Sequence, residues 1–580
     1  MSYFLKKTKT NKGDYYQVYD GNYDKEKGYV TQKSVSVIGY YSDLLKRGIN
    51  DPLTYAKKLV EQMEKERKEK IERDKIKTIN DSSDIKNVGA SFISSFLDSL
   101  KLELPINMLN YGRRVNYKLF DVMKFLIASQ IYDPSSKLNA YINLKDKFLF
   151  SSDFSYPNLL DALDVFGEDY QSIIELFNNC FKKLYKFTTD KVFFDCTNYY
   201  FEIDKPYDDK QKGPSKENRK NPIIGMGLLL DKNQMPISMK MFPGNQSEKP
   251  VIREIINEMK ESNQIQGRTI QIADKGLNCG QNIFECHLNK DGYIYANSVK
   301  KLSAKELVWV DKDDDYIKDN EENCTFKYKE CIDDFKYDFV FNGTKYSKNF
   351  KQKRIIYWSK KLEDKHRIEI NLMIEKAKKL ALSQAKKAEY GECSRYINFA
   401  KIDENGEINF ENISKIIDQE KIEKDLKYCG YNMLITSEIS TSSKEVYDVY
   451  HRLWRIEESF RILKTDLCAR PTYLQGKFKI YGHFLMCYLS LVFIRYIELV
   501  LLKDEIPATT IINFIRKFEI FVNEDISVNL LKKRDSIDEL TTITDLPIIK
   551  KIFNEKDLKL IKNYRFSTIK WAYLKKTGSL

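Results

Sequence analysis

The sequence is poor in histidine and cysteine, with four His and ten Cys among 580 residues. It has no Cys-x-x-Cys pair, and the nearest cysteines, Cys279/Cys286 and Cys324/Cys331, lack zinc-site spacing. These absences exclude a disulfide scaffold and make a metal centre built from His ligands improbable. Any metal ion is therefore expected on carboxylates, which suit Mg²⁺ and Mn²⁺.

The sequence also lacks internal repeats, low-complexity tracts and a long uninterrupted apolar run. Its most apolar stretch, residues 484–502, is interrupted by Arg495 and Glu498 and falls short of the roughly 20 apolar residues of a membrane span. We interpret this stretch as a buried core helix. Residues 1–7 become charged too early for a secretory signal, so we expect a cytoplasmic, reducing setting and no membrane partner.

The composition is otherwise that of a folded chain, with 42% apolar and 31% charged residues. At roughly 150 residues per domain, the length corresponds to about four units. The net charge is 97 − 84 = +13, which favours a polyanionic partner without proving one. Residues 550–580 carry nine Lys and Arg against Glu555 and Asp557. This basic stretch either contacts DNA phosphates or is a solvated helix.

Hydrophobic patterning divides the chain into β and α segments. Residues 3–40 alternate polar and apolar, which predicts a small β-meander, and the charged residues 54–77 predict a connector helix. Residues 88–187 have helical spacing, and residues 303–428 mix short strands with one long helix. Strands are predicted at 192–203 and 269–274, a long helix from about Ser443, and helices throughout 508–580.

Three acidic residues stand where chemistry would need them. Asp195 follows Val192-Phe-Phe in a predicted strand, Asp274 ends another apolar strand, and Glu457 lies on the helix that a Ser442/Glu445 capping box begins. A carboxylate on an apolar strand is costly to bury unless it is paired or binds metal. Together the three acids predict a site for two metal ions. Taken singly, each acid is better explained as a structural or turn residue.

The predicted helix presents further polar residues beside Glu457. On an ideal helix Tyr450, Glu457 and Lys464 fall within about 20° of one another, and Arg461 lies about 40° from Glu457. Lys464 and Tyr450 would then contact a phosphate next to a metal-binding glutamate. The alternative is an ordinary amphipathic helix with an intrahelical ion pair.

Residues 450–464, Tyr-His-Arg-Leu-Trp-Arg-Ile-Glu-Glu-Ser-Phe-Arg-Ile-Leu-Lys, resemble the Tyr-Arg-Glu-Lys signature of bacterial insertion-sequence DDE transposases of the large group numbered four. The flanking motifs resemble that family as well: Phe194-Asp195-Cys-Thr197, Gly225-Met-Gly227, Ala273-Asp274-Lys-Gly276-Leu277, Arg470-Pro471 and Gly482-His483-Phe484. The resemblance extends over roughly residues 185–500 and implies a DDE transposase.

The family resemblance implies an α/β fold. A ribonuclease-H-like catalytic core, a mixed sheet with flanking helices, would be interrupted by a largely β insertion and joined to helical N- and C-terminal regions. The expected divisions are a β segment (1–45), a charged helical connector (46–87), a helical DNA-binding region (88–187), the first core part (188–300), the insertion (301–428), the second core part (429–505) and a basic helical C-terminal region (506–580).

The resemblance also implies the activity. The protein would bind the terminal inverted repeats of its own mobile element, hydrolyse a strand at each end and transfer the freed 3′-hydroxyl in cut-and-paste transposition. Asp195, Asp274 and Glu457 would be catalytic and would hold two Mg²⁺, for which Mn²⁺ substitutes. The implied DNA-binding residues are Tyr450, Lys464, Arg461 and Trp454. A homodimer on double-stranded DNA, in the bacterial cytoplasm at the nucleoid, is expected.

Two residues leave alternatives open. Leu453 occupies the position of the signature arginine, so a phosphate grip from that position is in doubt, and Arg461 is the better-placed substitute. Trp454 either stacks on a displaced base or belongs to the core. Two other functions compete with transposition: a ribonuclease-H-like nuclease without strand transfer, and a domesticated or inactive transposase that regulates by binding DNA.

Overall fold

The computed structural model describes residues 2–24, 29–76, 84–113, 116–217, 219–382, 391–397, 417–522 and 527–567. The chain forms two compact units. The smaller unit comprises Met1–Lys86, Phe518–Ser536 and Leu546–Leu560, and the larger comprises Asn87–Lys517, Ile537–Asp545 and Ile561–Leu580. Both are mixtures of α and β structure.

The strands are β1 (Ser2–Thr10), β2 (Gly13–Asp24), β3 (Tyr29–Tyr40), β4 (Asp84–Asn87), β5 (Lys191–Tyr200), β6 (Ile223–Leu230), β7 (Pro236–Pro243), β8 (Ile270–Ala273), β9 (Gly292–Asn297), β10 (Ile317–Lys318), β11 (Phe326–Phe341), β12 (Thr344–Ser359), β13 (Tyr431–Thr436), β14 (Glu519–Val522), β15 (Ser527–Asn529) and β16 (Ile552–Phe553).

The helices are α1 (Tyr41–Lys46), α2 (Pro52–Ile76), α3 (Ala90–Ser99), α4 (Glu103–Met108), α5 (Leu119–Tyr132), α6 (Lys137–Leu144), α7 (Tyr156–Glu168), α8 (Tyr170–Phe181), α9 (Val251–Glu261), α10 (Gly280–Leu288), α11 (Ala304–Asp311), α12 (Lys360–Leu382), α13 (Gln419–Lys427), α14 (Ser443–His451), α15 (Trp454–Arg461), α16 (Lys477–Arg495), α17 (Ala508–Lys517), α18 (Asp538–Thr544) and α19 (Glu555–Lys562). Short 3₁₀ helices lie at Val299–Lys301, Asp313–Asp315, Gly391–Tyr396 and Lys533–Asp535, and π-helical turns at Ile462–Asp466 and Tyr496–Leu501.

The smaller unit contains two sheets. Strands β1, β2 and β3 form an antiparallel meander whose apolar face packs with α1 and α2 around Tyr16, Val18 and Leu44. The second sheet has the order β16-β15-β14-β4. Its three C-terminal strands correct the prediction of helix throughout 508–580. Apolar runs this short have no decisive period, and pairing with distant strands determines their conformation. Residues 568–580 of the basic stretch lie outside the described residues.

The larger unit is built on a nine-stranded mixed sheet of order β10-β11-β12-β13-β9-β8-β5-β6-β7. Strands β5, β8 and β9 are mutually parallel, and β6 and β7 continue the sheet as an antiparallel hairpin. Strands β11 and β12, expected in a separate insertion, extend this same sheet through β13. The predicted insertion is less β-rich than expected, because α11, α12 and α13 lie in it as well. Its residues 383–390 and 398–416 lie outside the described residues.

Helix α16 is the centre of the helical layer and packs against α5 and α7. Its Gly482 allows close contact, because a Cβ there would lie 2.1 Å from the backbone oxygen of Leu163. Within the described residues, Lys477–Leu501 is the one helical stretch long and apolar enough to span a membrane, and 89% of its most apolar window is buried in the protein. That burial is what a core helix requires.

The two charges that interrupt this apolar stretch are partners in a buried ion network. Arg495 is fully buried and pairs with Glu498, whose side chain is 1% exposed. Arg495 also lies 3.0 Å from Glu458 and donates a 2.9 Å hydrogen bond to Ser459, both on α15. The other Glu498 oxygen accepts the Ala508 backbone amide at the start of α17. Arg495 therefore connects α15 to α16.

We expect Arg495→Met to lower the free energy of unfolding by about 3–5 kcal/mol, because it removes the fully buried partner of Glu498 and leaves Arg455, 3.8 Å away, as the remaining cation beside that carboxylate. Urea denaturation followed by circular dichroism measures the change. The control is Arg534→Met, whose side chain is 78% exposed, and we expect it to alter stability by less than about 0.5 kcal/mol. A loss in Arg495→Met no larger than in this control would contradict a structural role for the network.

Candidate active site

The first two predicted acids lie side by side on neighbouring parallel strands. Phe194 in β5 pairs with Ala273, the last residue of β8, so Asp195 in the middle of β5 lies beside Asp274, which directly follows β8. Adjacent strands are about 4.8 Å apart, which brings the carboxylates into mutual repulsion. On the other side of β5, Gly227 of β6 lies so close to Phe194 that a Cβ would come within 2.8 Å of its ring.

The third predicted acid reaches the pair from a helix. Helix α15 packs against β5 and carries Glu457, whose carboxylate interacts electrostatically with Asp274. Tyr450, near the end of α14, donates a hydrogen bond of 3.2 Å from its hydroxyl to Asp274 Oδ1. The structure therefore brings Asp195, Asp274, Glu457 and Tyr450 together from two strands and two helices.

The sequence pattern predicted one continuous helix from Ser443, but the helix that carries Tyr450 and Glu457 is interrupted. Helix α14 ends at His451, and α15 begins at Trp454 after a turn at Arg452 and Leu453. Helix α15 then passes into the π-helical turn Ile462–Asp466. Each irregularity changes the angle between successive residues, so spacing by seven no longer aligns Lys464 with Glu457. The predicted start is correct, since the Ser442 side chain accepts the Glu445 amide at 3.2 Å.

A lysine and a fourth carboxylate that the sequence analysis did not single out complete the cluster. Lys216 Nζ lies 3.7 Å from Asp195 Oδ1 and 3.5 Å from Glu248 Oε1, and it donates a hydrogen bond to the Cys196 carbonyl. Lys216 belongs to the loop between β5 and β6, which was noted only as polar and lysine-rich. Glu248 follows β7 and carried no sequence signal.

The environment of the cluster disfavours the ionised form of its carboxylates. Burial raises the pKa of Asp195 to about 6, with repulsion from Asp274 and Glu248 adding to the shift, although Lys216 and the Cys196 amide oppose it. Partial desolvation of its carboxylate and the charge of Asp274 also raise the pKa of Glu457. Lys216 offsets part of this repulsion, since it pairs with Asp195 and Glu248 and also acts to lower the pKa of Glu457. A further positive charge placed between these carboxylates would relieve the rest.

The remaining predicted DNA contacts lie around this cluster. Lys464 forms an ion pair of 3.2 Å with Glu217 of the loop between β5 and β6. Arg461 forms ion pairs with Asp466 and Glu458, at 3.2 and 3.9 Å, and its substitution for the signature arginine stays a prediction. Leu453, at that arginine's position, is buried at the junction of α14 and α15.

Trp454 does not belong to the core, which was one of its two interpretations. Its side chain is 53% exposed, and the Arg455 guanidinium lies over its ring at 4.4 Å from the centroid. Trp454 is the first residue of α15, and its indole lies at the protein surface. Its exposed face is available to a flat ligand.

The chemical type of the cluster fits a hard divalent cation. Carboxylate oxygens are the ligands that Mg²⁺ and Mn²⁺ prefer, and two of them lie at adjacent strand ends. Among the described residues, however, no three His, Cys, Asp or Glu side chains are close enough to form a closed metal site. The donors fit in kind, while their spacing is wider than that of a coordination shell.

The family follows from comparison with known proteins. A family model described as "Transposase DDE domain" matches residues 190–493, just over half of the chain. The chain therefore belongs to the DDE transposase family, and its class is that of a transposase. The matched range contains Asp195, Asp274 and Glu457.

The other comparisons add little. No curated protein matches the sequence. One solved structure, "Cryo-EM structure of piggyBac transposase synaptic complex with hairpin DNA (SNHP)", is similar at 10% identity and a TM-score of 0.35, covering 73% of this chain and 77% of that chain. A likeness at this level supports no conclusion about the site.

We expect Asp195→Asn to stabilise the metal-free protein at neutral pH by about 2 kcal/mol. The folded pKa of about 6 exceeds the ordinary value of 3.8, so the ionised form is disfavoured on folding. The penalty is absent below about pH 4, grows as the pH rises and is complete above about pH 6. Thermal melting in a chelator across this range measures it.

The control for this comparison is Asp190→Asn, which removes an exposed carboxylate paired with Lys232 at the start of the same strand. We expect that variant to follow the wild-type pH profile. Parallel profiles for wild type and Asp195→Asn would show that the carboxylate is not destabilised in the folded protein.

Proposed function

We propose that the protein is the transposase of a bacterial insertion sequence in the group numbered four. It binds the terminal inverted repeats of its element as a homodimer and performs cut-and-paste transposition in the bacterial cytoplasm, at the nucleoid. The observation that carries this proposal is that Asp195 and Asp274 lie side by side on neighbouring strands and Glu457 lies on a helix packed on β5. All three belong to the segment that matches the transposase family.

The topology supports a ribonuclease-H-like core. In the five-strand order β7-β6-β5-β8-β9, β5 is the first of the five along the chain and lies at the centre. An antiparallel hairpin lies on one side of β5 and two parallel strands on the other. Asp195 then occupies the central strand, Asp274 its parallel neighbour, and Glu457 a helix packed on β5.

Each residue has a separate role in the proposed reaction. Asp195, Asp274 and Glu457 would hold two Mg²⁺ or Mn²⁺, which when bound stabilise the charge on attacking and leaving oxygens. Tyr450 fixes the Asp274 carboxylate through its hydroxyl. Lys464 contributes a positive charge near the scissile backbone. Strand hydrolysis followed by attack of the freed 3′-hydroxyl requires no covalent protein intermediate, so positioning is the main task of the chain.

The catalytic assignment predicts that Asp195→Asn, Asp274→Asn and Glu457→Gln each abolish cleavage and leave DNA binding intact, because only the carboxylates are removed. Purified protein is incubated with labelled DNA carrying the ends that flank its gene, with Mg²⁺ or Mn²⁺. Glu445→Gln, an exposed change on α14 near the cluster, is the matched control and should cut normally. Cleavage retained by any of the three variants would remove that residue from the site.

The same assay separates the competing functions. Cutting that is indifferent to the end sequence would indicate a nuclease without strand transfer. Tight binding to the ends without cutting in either metal would indicate a DNA-binding regulator, and Leu453→Arg would then test whether the missing arginine is the cause. Nicking confined to the ends supports transposition.

Trp454 is expected to contact an unpaired base, so Trp454→Ala should weaken binding to a pre-nicked, partly single-stranded end by about 1–3 kcal/mol. Binding to an intact duplex should change little, since its bases are already stacked. Fluorescence anisotropy with both substrates measures the difference. Tyr473→Ala, which removes another exposed aromatic ring, is the control. An equal loss on both substrates would exclude base stacking.

A further inference from the structure

Two cations in the larger unit converge on one carboxylate beside the carboxylate cluster. Glu217 accepts from Lys464 at 3.2 Å and from the Arg470 guanidinium, and Arg219 lies 3.9 Å away. Burial raises the pKa of the Glu217 carboxyl, but Arg470 and Lys464 outweigh it and hold the net pKa below its ordinary value. The acid is therefore ionised, and it occupies the space between the two cations.

The two cations contact aromatic rings at the end of β5, and Arg470 lies in the segment between the π-helical turn and α16. Lys464 lies in the π-helical turn Ile462–Asp466 with its ammonium 5.6 Å from the centre of the Tyr199 ring, and the Arg470 guanidinium lies 5.0 Å from that of Tyr200. Both side chains are mostly covered, at 16% and 21% exposure. Half-buried cations held against aromatic rings at the end of β5 require an anion, and in this structure Glu217 supplies it.

The acid comes from the loop between β5 and β6. The hydrogen bonds that attach this loop to β5 include two of Asn198, to the Pro214 carbonyl and from the Lys216 amide, and one from Lys216 Nζ to the Cys196 carbonyl. Its neighbour Lys216 pairs with Asp195. Consecutive residues of one loop therefore neutralise a candidate catalytic carboxylate and the candidate phosphate-binding lysine.

We propose that Lys464 and Arg470 form a binding site for a DNA backbone phosphate and that Glu217 covers this site until DNA displaces it. A carboxylate and a phosphodiester present the same anionic oxygens to a lysine and an arginine. Because Glu217 adjoins Lys216, its departure also draws the lysine away from Asp195, so arrival of the phosphate and exposure of the carboxylates are coupled. This inference rests on the proposed function, since it takes DNA as the ligand.

The test measures DNA binding in the presence of a chelator, so it does not depend on cleavage. Fluorescence anisotropy with a labelled duplex should give Glu217→Gln an affinity about three- to tenfold higher than wild type at low salt. Glu202→Gln is the matched control: it makes the same charge change on an acid that bonds Tyr473 rather than the two cations. We expect it to change affinity by less than about twofold.

A second variant attributes the gain to the cations. Arg470→Gln should weaken binding and reduce the slope of log affinity against log salt by about one. In the Arg470→Gln background, the gain from Glu217→Gln should be smaller than in the wild-type background, because Glu217 then covers Lys464 alone. Thermal melting establishes that each variant is folded.

The outcomes separate this inference from the function beneath it. Wild-type binding to DNA with no gain in Glu217→Gln, or with a loss, would overturn the covering role of Glu217 and leave the transposase proposal intact. A gain from Glu217→Gln that is as large without Arg470 as with it would overturn the assignment of Arg470 to the phosphate site. Absence of DNA binding by every folded variant would overturn both proposals.

Discussion

The parallel pairing of β5 with β8 is the constraint on which the candidate site depends. Its register, Phe194 opposite Ala273, puts Asp195 and Asp274 side by side in the interior of the sheet. The backbone hydrogen bonds of the sheet hold two like charges at a spacing that they would not adopt freely, and burial raises the pKa of Asp195 further. Carboxylates held close together in this way are suited to binding cations. Lys216 supplies one positive charge beside Asp195, and Tyr450 holds the Asp274 carboxylate in position.

Ion pairs have different roles in the buried network of Arg495 and in the candidate site. Arg495 and Glu498 sit in the most apolar helix of the protein and connect it to α15, which fixes the backbone that carries Glu457. Beside β5, Lys216 and Glu217 instead pair with Asp195 and Lys464, which the proposed function assigns to the active site. The first pairing is fully buried and structural. The second lies on a loop at the protein surface, where an ionic ligand can replace it.

Sequence reasoning located the acids because each ends an apolar strand or lies within a recognisable motif. Sequence reasoning failed where the spacing of apolar residues does not determine the local conformation. The helix from Ser443 was predicted to be continuous, but it breaks at Arg452 and contains a π-helical turn after Arg461. The strands β14 to β16 are too short for their period to be decisive, and their conformation depends on partners far away in the chain.

The sequence by itself determined the transposase class and a core helix in residues 484–502, and it predicted the three acids, because motifs and apolar runs are local properties. Only the tertiary structure decided that Lys216 pairs with Asp195, that Glu217 pairs with Lys464, that Arg461 pairs with Asp466 and that Trp454 is exposed. Ion pairs between residues as distant as Glu217 and Arg470 depend on how the chain folds back on itself, and no periodicity along the sequence records that.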